Sequence, residues 1–197
     1  MSAPMIFETS HPAEGLVCLT LSGIVDEDNT LPQTLAEIDA PLLLLDLAGL
    51  ERINSCGVRD WVNWICSLQR KGVKILFLRC SPAVVAQLNL VNNFVGHADV
   101  ISYYAPYWCS NCKKDHVVLM RTEGCDEELP RPPSERCKDC DHLMQFDDDP
   151  AYFSFVSLNK AEALDDALSK IVNKIHERPI LQGNLRSLNT DDEGSEE

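Results

Sequence analysis

Four cysteines are spaced for metal chemistry. Cys109-Ser-Asn-Cys112 and Cys137-Lys-Asp-Cys140 form two CxxC pairs, with the 24 residues 113–136 between them. Two residues between thiolates let one tight turn aim both sulfurs at a single ion, and two such pairs complete a tetrahedral four-thiolate shell. The polar residues in the middle of each pair suit such turns. One structural Zn2+ held by Cys109, Cys112, Cys137 and Cys140 is therefore the expected cofactor, and its binding would fold a segment short of core. A shell of four thiolates has no open position for catalysis, and no HxE or HExxH motif supplies a base. His116 and His142 lie close enough in sequence to compete as ligands, although four thiolates already complete the shell. Cys125, in the acidic loop between the pairs, is left spare. CxxC also makes redox dithiols, but those use one pair at the end of a strand in a βαβ setting, not two pairs flanking a hairpin.

The second candidate is a serine at a helix start. Leu45-Asp46-Leu47-Ala48-Gly49-Leu50 reads as the end of a buried strand, a short polar stretch follows, and Ile53-Asn54-Ser55-Cys56-Gly57 opens a helix. A phosphate on Ser55 would meet free backbone N–H groups and the positive end of the helix dipole. It would also add charge to a docking surface. A plain structural role competes with this one, since Asn54 or Ser55 also suits the N-cap.

The elements that must position these residues follow from periodicity. Leu16 to Leu21 reads as a strand closed by Ser22-Gly23. Leu31, Leu35 and Ile38 mark one face of a short helix. Pro41 opens an apolar run, PLLLLDL, short enough to be a strand buried on both faces. Val58, Trp61, Ile65 and Leu68 line one stripe of the next helix, which Gly72 ends after Arg70-Lys71. Trp61 belongs to the core on this reading, while Trp64 is a candidate binding anchor. Val73 to Leu78 is a further buried strand, Ser81-Pro82 begins a helix reaching Leu90, and Val100 to Tyr104 is a last short strand. The order β-β-α-β-α-β-α-β implies an α/β fold, a small mixed sheet with helices packed on it. Beyond Ala105 come a β-hairpin carrying the cysteines, a strand at Tyr152 to Leu158, and a helix over Asn159 to Glu177. The domains expected are 1–104, a cysteine module at 105–158, a C-terminal helix at 159–178 and an acidic disordered tail at 179–197.

Composition narrows the partners. Of 197 residues, 17 are basic and 31 acidic, for a net charge of −14. The stretch 106–156 alone carries 11 acids against 6 bases, a net of −5. Nucleic-acid affinity comes from Lys and Arg neutralising phosphates, so a nucleic-acid-binding ribbon is disfavoured and a protein-facing one is expected. No apolar run approaches the ~20 residues needed to span a bilayer, and no secretory signal opens the chain. Nine cysteines, an odd count, argue for metal ligands and buried thiols in a cytoplasmic protein rather than a disulfide framework. With no glycine-rich phosphate loop, nucleophile elbow or usefully spaced catalytic acids, an enzyme is not expected.

The DLAGL strand end, the INSCG turn and the later Ser81-Pro82-Ala83-Val84-Val85-Ala86-Gln87-Leu88 unit resemble the STAS domain of anti-sigma-factor antagonists, over roughly residues 5–104. That family has a strand ending in D-L-S-G-V, then an I-D-S-S-G-type turn. The resemblance implies a phosphoacceptor at Ser55 and a regulatory protein partner, such as a serine kinase or anti-sigma-like protein. Here Asn54 replaces the family's acid and Cys56 its second small residue. The partner surface is expected on Asn54, Ser55, Cys56, Gly57, Arg59, Asp60 and Trp64. The function expected is a non-enzymatic adaptor, possible as a homo-oligomer, with a zinc/thiol redox sensor as the alternative.

Overall fold

The computed structural model describes residues 5–34, 38–122, 132–159 and 163–180. The expectations for Leu35, for Cys125 and for the acidic tail from residue 181 onward lie outside the described residues. What is described is a mixed α/β architecture built on two sheets.

The larger sheet has five strands in sequence order: β1 (Ile6–Ala13), β2 (Leu16–Val25), β3 (Leu42–Ile53), β4 (Lys74–Leu78) and β5 (Asp99–Val100). β1 runs antiparallel to β2, and every later neighbour is parallel. Alternation along the strands sends side chains to two faces. Val17, Leu19, Leu21, Leu43, Leu45, Ile75 and Phe77 face the main core with α1 (Leu31–Thr34), α2 (Ser55–Arg70) and α3 (Pro82–Leu90). Leu16, Cys18, Leu44, Leu76 and Leu78 face the other way, against α5 (Asp166–His176).

Two strands run on past their expected ends. β2 passes through Ser22-Gly23 to Val25, and β3 carries the DLAGL segment on to Ile53, with register shifts in their pairing beyond Thr20. Gly49 makes this possible: a Cβ there would come within 2.6 Å of the Ser22 Cβ. The polar stretch between strand and helix is thus itself strand, and α2 follows Ile53 after Asn54 alone.

α2 buries Trp61, Trp64, Ile65 and Leu68, and its C-terminal turn closes on Gly72 at φ +82°, as Gly in the left-handed region does after a helix. The Trp61 ring stacks on Phe94 at 5.2 Å and its indole N–H donates to the Phe94 carbonyl at 3.0 Å. Trp64 is 2% exposed. It is a core residue, so the binding anchor expected there is withdrawn: the buried face of α2 is wider than the Val58-Trp61-Ile65-Leu68 stripe.

The smaller sheet has the order β7-β6-β8, from β6 (Ser102–Cys109), β7 (Lys114–Arg121) and β8 (Gln145–Phe146), all antiparallel. The strand expected at Val100 to Tyr104 is divided: Asp99–Val100 completes the large sheet and Ser102 begins β6. Residues 104 and 105 are both inside β6, which backbone bonds tie to Cys80 through Ser102 and Tyr104. One apolar cluster runs from Val17 and Trp61 through Tyr103, Ala105 and Tyr107 to Cys109 and Cys137.

The strand expected at Tyr152 to Leu158 is helical. Asp149 caps a 3-10 turn at Pro150–Phe153 that runs into α4 (Ser154–Leu158). Proline in the first turn and an Asp cap favour that start, and the buried Tyr152, Phe153, Phe155 and Val156 fit one face of a helix. The C-terminal helix is shorter than expected, beginning at Asp166 after an Asp165 cap. Before it, the Asn159 side chain accepts from the Val100 N–H and donates to the Val100 carbonyl, so it pairs with β5 as a strand would.

A polar latch holds the end of α5 to the sheet. Arg79 sits at φ +51° after β4 and makes a two-pronged ion pair to Asp46, both N–O distances being 2.9 Å. Both side chains are buried, at 3% and 0% exposure. Arg79 also donates to the Arg178 carbonyl just beyond α5. The His176 ring lies 2.8 Å from the Ser102 hydroxyl, and Arg121 donates to the Asn173 side chain.

Candidate functional site

The cysteines converge. Cys109 ends β6 and Cys112 lies in the turn before β7, so the first knuckle is the hairpin's own turn. The second knuckle is brought alongside by an Arg136–Leu143 bridge and by β8, which pairs with β6. The two knuckles share one backbone conformation. Lys113 and Asp141, each following the second cysteine of its pair, have φ +54° and +57°. Their N–H groups reach the carbonyls of Cys109 and Cys137, each at 2.8 Å. Neither residue is glycine, so a left-handed φ at both is a costly and specific feature.

The four sulfurs lie within 4.8 Å of one another. Cys109 Sγ is 3.6 Å from Cys140 Sγ, and Cys112 Sγ is 3.8 Å from Cys137 Sγ. A tetrahedral ion with metal–sulfur bonds of about 2.3 Å, as zinc makes, places its sulfurs about 3.8 Å apart. The group is compatible with one metal ion. Cys109 and Cys137 are buried, while Cys112 and Cys140 are half-exposed. A hydrogen bond from Asn111 does most to lower the Cys140 thiol to about 6, helped by the Cys112 side chain and the His142 backbone. Cys112 is shifted the opposite way, chiefly by its bond to Cys140. His116 reaches the cluster, its Nε2 lying 3.5 Å from Cys137 Sγ. His142 enters through its backbone instead, its carbonyl accepting from the Cys137 N–H.

The second candidate site is the start of α2. Asn54 is the N-cap: its Oδ1 accepts from the Gly57 N–H at 2.9 Å, and its Nδ2 donates to Glu27 at 2.8 Å. Ser55 is therefore the first helical residue, and it is exposed. Cys56 is half-buried, and Arg59 pairs with Asp60 at 3.0 Å. Asp60 also accepts from Asn29, and these bonds from Arg59 and Asn29 lower its carboxyl pKa. Glu27 is lowered too, by its bond to Asn54. Gly57 is a packing residue: a Cβ there would meet the Val25 carbonyl oxygen at 2.1 Å. It and Trp64 leave the exposed set, which keeps Ser55 and Arg59 with the half-exposed Asn54, Cys56 and Asp60.

No family model and no curated protein matches this chain. Among solved structures, the chain is similar to the anti-sigma factor antagonist SpoIIAA in its unphosphorylated form, at 17% identity. That likeness covers 48% of this chain and 87% of the other, with a TM-score of 0.39. Among the described residues, no helix is long and apolar enough to cross a membrane.

Sequence spacing was enough to find the four cysteines that the fold brings together. It flagged His116 as a rival ligand, and the ring does reach Cys137, but it did not find the Asp46–Arg79 pair, whose members are 33 positions apart. Arg79 is an isolated basic residue after an apolar strand, and nothing local in the sequence marks it.

Proposed function

We propose that this chain is a non-enzymatic regulatory adaptor that works by protein–protein binding. On this reading it has an STAS-like sheet domain at 1–104, a structural zinc ribbon at 105–158 and a C-terminal helix at 159–178, in the cytoplasm. Partner exchange is controlled at Ser55. The observation that carries the reading is the placement of Ser55, exposed at the first turn of a 16-residue helix whose cap is already supplied by Asn54. The hydroxyl is thus not needed for capping. A phosphate there would gain from the helix dipole, and Arg59, four residues on, lies on the same helix face. It would also add negative charge beside Glu27 and Asp60, altering the face a partner meets. The partner is a regulatory protein, such as a serine kinase or anti-sigma-like protein.

Zinc in the ribbon is structural on this reading. Cys109, Cys112, Cys137 and Cys140 hold it, and it supplies the cross-link that fixes the far end of the hairpin. The test is recovery of the protein from its own host, with identification of its partners and of the Ser55 phosphorylation state. Phosphate on Ser55, with binding altered in Ser55→Asp, supports the switch. Equal partner binding by Ser55→Asp and Ser55→Ala overturns it.

One observation favours a second reading, a zinc/thiol redox sensor: Cys112 and Cys140 are half-exposed, so an oxidant can reach two of the four sulfurs. Loss of zinc and reorganisation of the hairpin on mild peroxide treatment support it. Unchanged zinc content removes it.

A further inference from the structure

We infer that His116 is a positioning residue of the cysteine site, its Nε2–H donating to the Cys137 sulfur and holding that thiolate in the metal shell. The inference rests on the zinc reading above. It starts from the register of β7. Alternate side chains of a strand share a face, and Lys114 and His116, two apart, reach Asp139 and Cys137, also two apart. Lys114 Nζ is 3.0 Å from Asp139 Oδ2, and His116 Nε2 is 3.5 Å from Cys137 Sγ. β7 therefore grips the second knuckle at two successive points.

The donors to the other sulfurs show why the contact matters. Cys109 Sγ accepts from the Cys112 N–H inside its own knuckle, at 3.5 Å. Cys140 Sγ is bonded by the Asn111 side chain and the His142 backbone. Cys137 is 2% exposed, and the nitrogen that reaches its sulfur comes from outside its knuckle, from the His116 ring on β7. A metal-bound thiolate keeps much of its negative charge, and a donor aimed at it both screens that charge and fixes its orientation. His116 also comes within ligand reach, since its ring nitrogen, Cys137 and Asp139 lie within 4.8 Å of one another. Because four converging sulfurs already suffice for a four-coordinate ion, the outer role is the one assigned.

The experiment loads the full chain with Co2+ and, separately, with Zn2+. It records the visible d–d and near-ultraviolet sulfur-to-cobalt bands, and zinc affinity by chelator competition. His116→Ala is expected to keep the tetrahedral d–d bands, move the sulfur-to-cobalt band, and weaken zinc binding about 10- to 100-fold. His116→Gln, which keeps an N–H donor, is expected to recover most of that loss and remains readable if the alanine variant folds poorly. Lys114→Ala is expected to leave the sulfur-to-cobalt band in place. Wild-type affinity and an unmoved band in His116→Ala would overturn the assignment. So would loss of the tetrahedral bands in that variant, or uptake of a second equivalent of cobalt that His116→Ala abolishes; either would make His116 a ligand. A wild-type chain that takes up no metal fails the zinc reading itself, and that result differs from all of these.

Discussion

The two sheets are stabilised in different ways. The five-stranded sheet is covered on both faces, by α1, α2 and α3 on one side and α5 on the other. The three-stranded sheet has apolar support at the Tyr103 and Tyr107 end, but its far end is four cysteines, two of them buried and two half-exposed. Burial of side chains such as Trp61 and Phe77 suffices for the first, at about 1.5–3 kcal/mol for each large apolar group. The second has less surface to bury at its tip, and on the zinc reading proposed above a metal cross-link would substitute for core.

Removing the cross-link should divide the molecule most sharply. Cys137→Ser, or chelation of the loaded protein, is expected to strip hydrogen-exchange protection from residues 107–121 and 135–146. β2, β3 and β4 should stay protected. Uniform loss of protection would mean that the two sheets fold as one unit.

The next largest effect lies in the larger sheet. Arg79→Met leaves the buried Asp46 with the Ala48 N–H and the more distant Arg178 guanidinium, 4.0 Å away, at an expected cost of up to about 3–5 kcal/mol. Adding Asp46→Leu should recover most of it, because a buried pair and an apolar pair of similar volume are often near equal. Denaturant unfolding of both variants checks this, and a double variant as unstable as the single one would argue against it.

Acid should release the α5 side before the α2 side. The His176 imidazole, in its partly buried place, is pulled down to about 4, first by desolvation and then by Arg121 and Arg79, with Asp46 opposing. Because the docked ring has the lower pKa, the detached form binds the proton more readily. Stability from docking is complete above about pH 6.5, the usual imidazole value, and is lost as pH falls toward 4. Discounted for partial exposure, the loss is about 1–2 kcal/mol. Hydrogen exchange in α5 between pH 7 and 4 reads it, and His176→Asn should flatten the dependence.

The smallest effects separate cap from switch at α2. Asn54→Ala should cost about 1 kcal/mol, and Ser55→Ala less than about 0.5 kcal/mol, by thermal unfolding. The reverse order would make Ser55 the cap and remove the ground for a free hydroxyl there.

What could be read from the sequence follows the same division. The metal candidate was legible because both knuckles are local: each needs four consecutive residues. The helix starts at Asn54 and Ser81 were legible for the same reason, through cap residues whose side chains accept from Gly57 and Val84. The Tyr152–Leu158 segment was misread because a short aromatic run suits either element, and Asp149-Pro150 decided it. Trp64 was misread because the width of a buried face depends on what lies opposite. Asp46 and Arg79 could not be paired at all from a strand motif and an isolated basic residue.

The placement of α5 bears on the order in which the chain can mature. The face it covers is made of Leu16, Cys18, Leu44, Leu76, Leu78 and Ile101. During synthesis that face stays open to water until residue 176 has left the ribosome, long after the strands that bear it have emerged. Between the synthesis of Ile101, which completes that face, and of α5, the nascent chain therefore presents an uncovered aliphatic surface to chaperones and to its neighbours on the polysome.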